Sequence, residues 1–196
     1  MLDYFFKYTE EEVNKFLLKG RAWFIYVAGA PAFFPALNFL LSRMATTILR
    51  TDSANTDFIE LVKLLDADLA KRDGDEHAFY HQFNKIDMIK HAIVLYEGRQ
   101  PVSCGAIKES MPGSMEVKRM YTLPEKRGKG YAAVVLNELE KWAAELAYPK
   151  CVLETGKKQP EAIALYKKCG YRIIPNYGQY IGVGNSVCFE KQLSVS

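Results

Sequence analysis

The chain has almost no charge imbalance and no run of one charge. Its 26 Lys and Arg against 23 Asp and Glu leave +3, and no five like charges stand together. Bulk electrostatic binding to nucleic acid is therefore unsupported. Cysteine is scarce: Cys104, Cys151, Cys169 and Cys188 stand far apart with no Cys-x-x-Cys pair. A chain of 196 residues is too large to depend on disulfide staples, so the four read as reduced and mostly buried, which points to the cytoplasm. The Gly-x-x-x-x-Gly-Lys-Ser/Thr string is missing, which removes ordinary P-loop nucleotide hydrolases. Histidine is limited to three residues. His77 and His81 have helical metal-ligand spacing, but the glutamate of H-E-x-x-H is lacking and no third ligand is signposted, so no metal site is predicted. Repeats and low-complexity stretches are absent as well. What remains is 49% hydrophobic and 25% charged residues, the balance of one globular domain with its own core.

Residues 1–43 differ in character from the rest of the chain. Ala22 to Leu41 is uncharged and flanked by Arg21 and Arg43, long enough to span a bilayer. Pro31, Pro35 and Asn38 inside the run, and basic residues on both sides, argue against a membrane helix. A cleaved signal peptide fits worse, since the preceding region is long and partly acidic. Residues 1–43 are read as an N-terminal extension, whether packed arm, anchor or mis-started segment, ahead of a domain over 44–196 that begins at Met44.

From there the periodicities alternate. Thr46 to Arg50 reads as a strand, and Asp57 to Lys71 as a helix carrying Phe58, Leu61, Val62, Leu65 and Leu69 on one face, with Ser53 and Thr56 as N-cap candidates. Arg72 to Asp75 reads as a turn and Glu76 to Asn84 as a short aromatic helix. His91 to Tyr96, Val102 to Lys108 and Ser114 to Thr122 predict an antiparallel meander. A helix near Gly130 to Ala147, a strand Lys150 to Glu154, a helix Pro160 to Lys168, and strands near Tyr171 to Pro175 and Ser186 to Lys191 complete the domain. The fold class is α/β (α+β), a mixed, mostly antiparallel sheet flanked by helices.

The chemistry concentrates at the start of the helix near Gly130. Val135, Leu136, Leu139, Trp142, Ala143 and Leu146 form its apolar stripe, with Asn137, Glu138, Lys141 and Glu145 largely opposite. Its first turn offers unpaired N–H groups and positive dipole, and Gly128 and Gly130 let a phosphate approach the main chain. Lys126, Arg127 and Lys129 add charge. A phosphate cradle is the result. Gly128, Gly130 and Ala133 also satisfy the dinucleotide pattern G-x-G-x-x-A, with Glu154 where a ribose-binding acid would lie, so a dinucleotide-dependent oxidoreductase is the enzymatic alternative. Against it, the preceding strand is charged and five residues separate it from the glycines. Too little chain remains beyond Glu154 for further βαβ units.

The string Arg127-Gly128-Lys129-Gly130-Tyr131-Ala132 resembles the R/Q-x-x-G-x-G/A acetyl-CoA signature of the GCN5-related N-acetyltransferase (GNAT) family, and the order of elements from Met44 to Leu193 is similar to theirs. The stretch ETGKKQPEAIALYKKCGYRIIPNYG resembles that family's second cofactor segment, with Gln159 where many members carry asparagine.

The resemblance implies an enzyme moving acetyl from acetyl-CoA to a primary amine by direct attack. The amides of Gly128, Lys129, Gly130, Tyr131 and Ala132 would hold pyrophosphate, together with Arg127, and Gln159 would lie on the cofactor. Met120, Tyr121 and Thr122 would pair with pantetheine and offer an N–H to the carbonyl oxygen. It further implies Glu116 as general base, directly or through water, and Tyr166 as donor to the CoA sulfur. Taken without the resemblance, Glu116 reads as a solvated strand acid, and Tyr166 as a core aromatic beside Ala162, Leu165 and Cys169. Tyr80, Asn84, Tyr177, Tyr180 and Glu190 are placed by resemblance at the acceptor, a small-molecule or peptide amine. Homodimers are frequent in the family. A catalytically silent acyl-CoA-binding module stays open as the reading of a different class.

Overall fold

Secondary structure forms largely where the hydrophobic periodicity changes. The structure, a computed structural model, describes residues 45–73, 86 and 89–194, all within the unit from Leu40 to Ser196. In chain order the elements are β1 (Thr46–Thr51), α1 (Thr56–Asp73), β2 (His91–Glu97), β3 (Gln100–Glu109), β4 (Ser114–Thr122), α2 (Tyr131–Glu145), β5 (Lys150–Gly156), α3 (Pro160–Lys168), β6 (Arg172–Ile174) and β7 (Ser186–Gln192). Among the described residues the strands make one seven-stranded sheet of order β1-β2-β3-β4-β5-β7-β6. Every pairing is antiparallel except β4 with β5. This is the mixed, mostly antiparallel sheet expected, and it rules out the doubly wound parallel sheet that a dinucleotide-binding reading requires.

Strand alternation divides the interior in two. On β2, Ala92 and Val94 face Phe58, Leu61, Val62 and Leu65 of α1, while Ile93 and Leu95 face Val135, Leu136 and Leu139 of α2. All four β2 side chains are fully buried, so the sheet is covered on both faces here and a register slip by one residue would exchange the two cores. Among the described residues, sequence placed the helices but not all of their ends. The α1 cap is neither Ser53 nor Thr56: Phe58 N–H donates to Asn55 Oδ1 at 2.9 Å, and Ala54 N–H to Asp52 Oδ1 at 2.8 Å. The side-chain oxygen three residues ahead of Phe58 is the one that reaches an orphan helix N–H. Residues 72 and 73, read as a turn, continue α1.

Helix α2 is held at both ends by residues with positive φ, Gly130 (+84°) before it and Ala147 (+63°) after it. Because the chain turns away at 147, Leu146 falls outside the stripe and is 38% exposed. Glu140 instead occupies the buried face, where Lys191 donates to its carboxylate. The proposed helix 76–84, with His77, Tyr80, His81 and Asn84, lies outside the described residues, as does the apolar run 22–41. No helix among the described residues is long and apolar enough to cross a membrane.

Gly105 on β3 lies where α2 packs tightly on the sheet. A Cβ built there would lie 2.5 Å from Met120 Sδ and 2.9 Å from both Leu139 Cδ1 and Val135 Cγ1. Gly105→Ala should therefore destabilise the fold by about 1–3 kcal/mol through overpacking, read as a lower urea midpoint. An unchanged midpoint would show that the α2 contact has slack.

Candidate active site

Strands β4 and β5 start together and then separate. Their parallel register covers Ser114–Lys150, Met115–Cys151 and Glu116–Val152 and stops there. Beyond that rung the edge of β4 facing β5, residues 117–122, has no paired strand on that side. The gap is a cleft lined by β4 residues 117–120, β5 residues 154–156, Leu65 and Leu69 of α1, and Gln159 and Tyr166 at α3.

A bulge shapes the β4 wall. Cys104 pairs with Tyr121 and Ala106 with Lys118, so Gly105 opposes both Arg119 and Met120. Arg119 takes φ +58°, a left-handed conformation that costs a non-glycine residue on the order of 1 kcal/mol. It is tied down on both sides. Arg119 Nη1 donates to Asp66 Oδ1 of α1 at 2.7 Å with its side chain 4% exposed, and its carbonyl accepts from Cys104 Sγ at 3.4 Å. Of the candidate cofactor positions 120–122, the side chains of Tyr121 and Thr122 turn inward: Tyr121 joins the α1 core and the Thr122 hydroxyl meets Ser103 Oγ at 2.8 Å. Their main chain is what remains for a ligand.

At the other end lies the glycine loop. Gly128 (φ +79°) and Gly130 (φ +84°) would place a Cβ in open space, so the glycines are required by conformation and leave the backbone approachable. Gly130 is the N-cap of α2 without a side-chain cap, and Val134 N–H is the donor that reaches the Gly130 carbonyl, at 3.1 Å. The first-turn amides ahead of Val134 have no intrahelical acceptor and point along the positive end of the helix dipole. Such a cradle fits a pyrophosphate. The basic residues beside it are paired within the protein. Glu97, at the end of β2, accepts from Lys126, from Lys129 Nζ at 3.1 Å and from the Tyr131 hydroxyl at 2.8 Å. With Lys126 foremost, these donors hold its carboxyl down at about 2. Arg127 donates to the Thr122 carbonyl at 3.1 Å and to Asp68 at 3.2 Å. Each cation is thus oriented before any ligand arrives.

Glu116 is no solvated strand acid: it is 6% exposed. Tyr177 donates to its Oε1 at 3.2 Å, Tyr180 lies 3.5 Å from the same oxygen, and Lys118 Nζ is 3.4 Å from Oε2. The two tyrosines stand edge to face in a loop that Asn176 organises by donating to the carbonyls of Tyr180 and Val183. Burial, with the Glu116 charge beside them, pushes both phenols upward, so they are donors at neutral pH. Tyr166 is both core aromatic and cleft residue. It is 6% exposed, packs against Tyr171 and Phe189, and its phenol is pushed upward by burial.

Glu190 lies in the same cross-strand row as Glu116, two strands away through Val152. Its carboxylate is filled by Arg172 and Lys150, each at 2.9 Å, and Gln192 at 3.1 Å. Sequence reasoning passed over Glu97, Lys118, Arg119 and Asp66, because each becomes informative only through a partner distant in the chain.

The chain belongs to the acetyltransferase (GNAT) family, whose model matches residues 58–171. It is 37% identical over 93 residues to the IAA acetyltransferase of Azospirillum brasilense, covering 47% of this chain and 61% of that protein. To the N-acetyltransferase YjgM of Escherichia coli, itself uncharacterised, it is 38% identical over 86 residues, covering 42% of this chain and 50% of that one. The chain thus spans less than two thirds of the curated relatives it matches. Among solved structures, an acyl-CoA N-acyltransferase candidate from Klebsiella pneumoniae superposes with TM-score 0.65 at 29% identity, over 77% of this chain and 99% of that one.

The Glu190 cluster makes a pH prediction. Its carboxyl is depressed from 4.5 to about 2, by Arg172 first and Lys150 next. The resulting stability is complete above the unfolded value and is lost as pH falls toward the folded one. Glu190→Gln should cost on the order of 1–2 kcal/mol at pH 7, moderated because Arg172 is largely exposed, and the gap from the parent should narrow from about pH 5 and close near pH 2. Urea unfolding across that range checks it; a gap independent of pH would contradict it.

Proposed function

We propose that the chain transfers acetyl from acetyl-CoA to a primary amine by direct attack with both substrates bound. The observation carrying this reading is the parting of β4 and β5 beyond Glu116–Val152: it opens a cleft lined by an unpaired strand edge and Tyr166, with Glu116 on the last paired rung and the glycine turn following β4 at the start of α2. Acetyl-CoA, when bound, supplies an activated thioester carbonyl and the phosphates that anchor it. The amides from Gly128 to Ala132 would bind pyrophosphate, with Arg127 holding the loop to Asp68 and Gln159 on the opposite wall. Main-chain groups of Met120 to Thr122 would align the pantetheine arm and offer an N–H to the carbonyl oxygen.

Glu116 would accept the amine proton, directly or through a water. Its burial, with Tyr177 and Tyr180 as donors on one oxygen, supports this reading: the carboxylate is oriented and shielded from bulk solvent. The two rings beside a carboxylate also suit an ammonium group on a small-molecule or peptide acceptor. Tyr166, kept protonated by burial, would give its proton or a hydrogen bond to the departing sulfur. Direct attack is supported by the thiols: burial holds Cys188 at about 11 and Cys104 and Cys151 at about 12, so none offers a thiolate nucleophile near neutrality. These unpaired, buried thiols also fit a reducing compartment, and we place the enzyme in the cytoplasm with residues 44–196 as its catalytic domain.

Initial-rate kinetics with acetyl-CoA and a panel of amines test the proposal. Intersecting reciprocal plots are expected, and parallel ones would indicate an acyl-enzyme. Tyr166→Phe should lower kcat by about 10-fold or more while acetyl-CoA still binds; Glu116→Gln should lower it by about 100-fold. Binding of acetyl-CoA without thiol release for any amine would make the chain an acyl-CoA-binding module instead.

A further inference from the structure

Lys118 stands two residues after Glu116 on β4, with Val117 between them turned into the α2 core, so the two charged side chains share the opposite face. Their groups are 3.4 Å apart, with the lysine side chain 13% exposed and that of Glu116 8% exposed. Lys118 is the one lysine lining the cleft among the described residues. Lys126 and Lys129 are engaged by Glu97 at the glycine loop, and Lys150 by Glu190.

A primary amine on a flexible four-carbon stem, beside a carboxylate that can take its proton and in the cleft assigned to the thioester, has the chemistry of the acceptor itself. We propose that Lys118 is an internal acetyl acceptor, modified on Nζ by the protein's own cleft when no external amine is present. The inference rests on the acetyl-CoA reading above. Glu116 takes one proton from the Lys118 ammonium; the freed nitrogen forms an N–C bond to the acetyl carbonyl carbon as the thioester C–S bond breaks. The second nitrogen proton goes to the leaving thiolate, so the products are N6-acetyl-Lys118, free CoA thiol and one proton released through Glu116. The amide carries no charge, so the modified protein loses the Glu116–Lys118 pair and fills part of its acceptor space. The reaction is self-limiting: turnover of an added amine falls as Lys118 becomes acetylated.

The test is to incubate the full chain with isotopically labelled acetyl-CoA and no amine, and follow each lysine by peptide mass spectrometry. Lys63, paired with Glu60 on the exposed face of α1, reports unassisted acetylation by the free thioester. Labelling of Lys118 at least ~10-fold faster than Lys63, first order and independent of protein concentration, is the expected result. Glu116→Gln should slow labelling at 118 by a similar factor and leave Lys63 unchanged, and Lys118→Arg should remove that label alone. Labelling of Lys118 no faster than Lys63, in protein that releases thiol with an added amine, overturns this inference and leaves the proposed activity standing. A chain that neither binds acetyl-CoA nor labels Lys118 overturns both.

Discussion

The site depends on one rung of one strand pair. Parallel pairing of β4 with β5 ends at Glu116–Val152, and the strands cannot rejoin because the β4 bulge turns the chain at Arg119 and Met120. An unpaired strand edge normally has to be covered or blunted. Here it is retained inside the protein, walled by α1 and α3, where its free main-chain groups can serve a ligand. The Arg119–Asp66 ion pair and the Cys104 contact hold the strained turn in place, so the opening is built into the fold rather than induced by binding.

Electrostatics around the cleft share a common pattern. Glu97 gathers Lys126, Lys129 and Tyr131 at the glycine loop, Glu190 gathers Arg172, Lys150 and Gln192 beyond β5, and Asp66 and Asp68 hold Arg119 and Arg127. These charges around the cleft are thus already paired, and the helix dipole with its first-turn amides is left as the field that a phosphate would meet. Glu116 is held by two phenols and one ammonium, and that ammonium belongs to Lys118, which lines the cleft.

Much of this was legible in the residues. Period-two and period-3.6 patterns located β4 and α3 to the residue, and the basic glycine turn announced the cradle because Gly128 and Gly130 do adopt the positive φ that favours glycine. Local signals failed where tertiary partners decide. The α1 cap depended on which oxygen reached Phe58 N–H, and Leu146 is exposed because Ala147 turns the chain after it. The burial of Glu116 depends on a loop some sixty residues later, and the loading of Glu97 and Glu190 on strands that composition does not bring together. The bulge left no sequence mark beyond Gly105.

The central claim, that the separated strands and glycine turn form a CoA site, is tested most directly by thermal-shift titration of the full chain with acetyl-CoA, free CoA, NADH and NADPH. A ligand that binds the folded state alone raises Tm with its concentration. The account predicts stabilisation by both CoA forms and by neither dinucleotide. Stabilisation by a nicotinamide dinucleotide alone would contradict it.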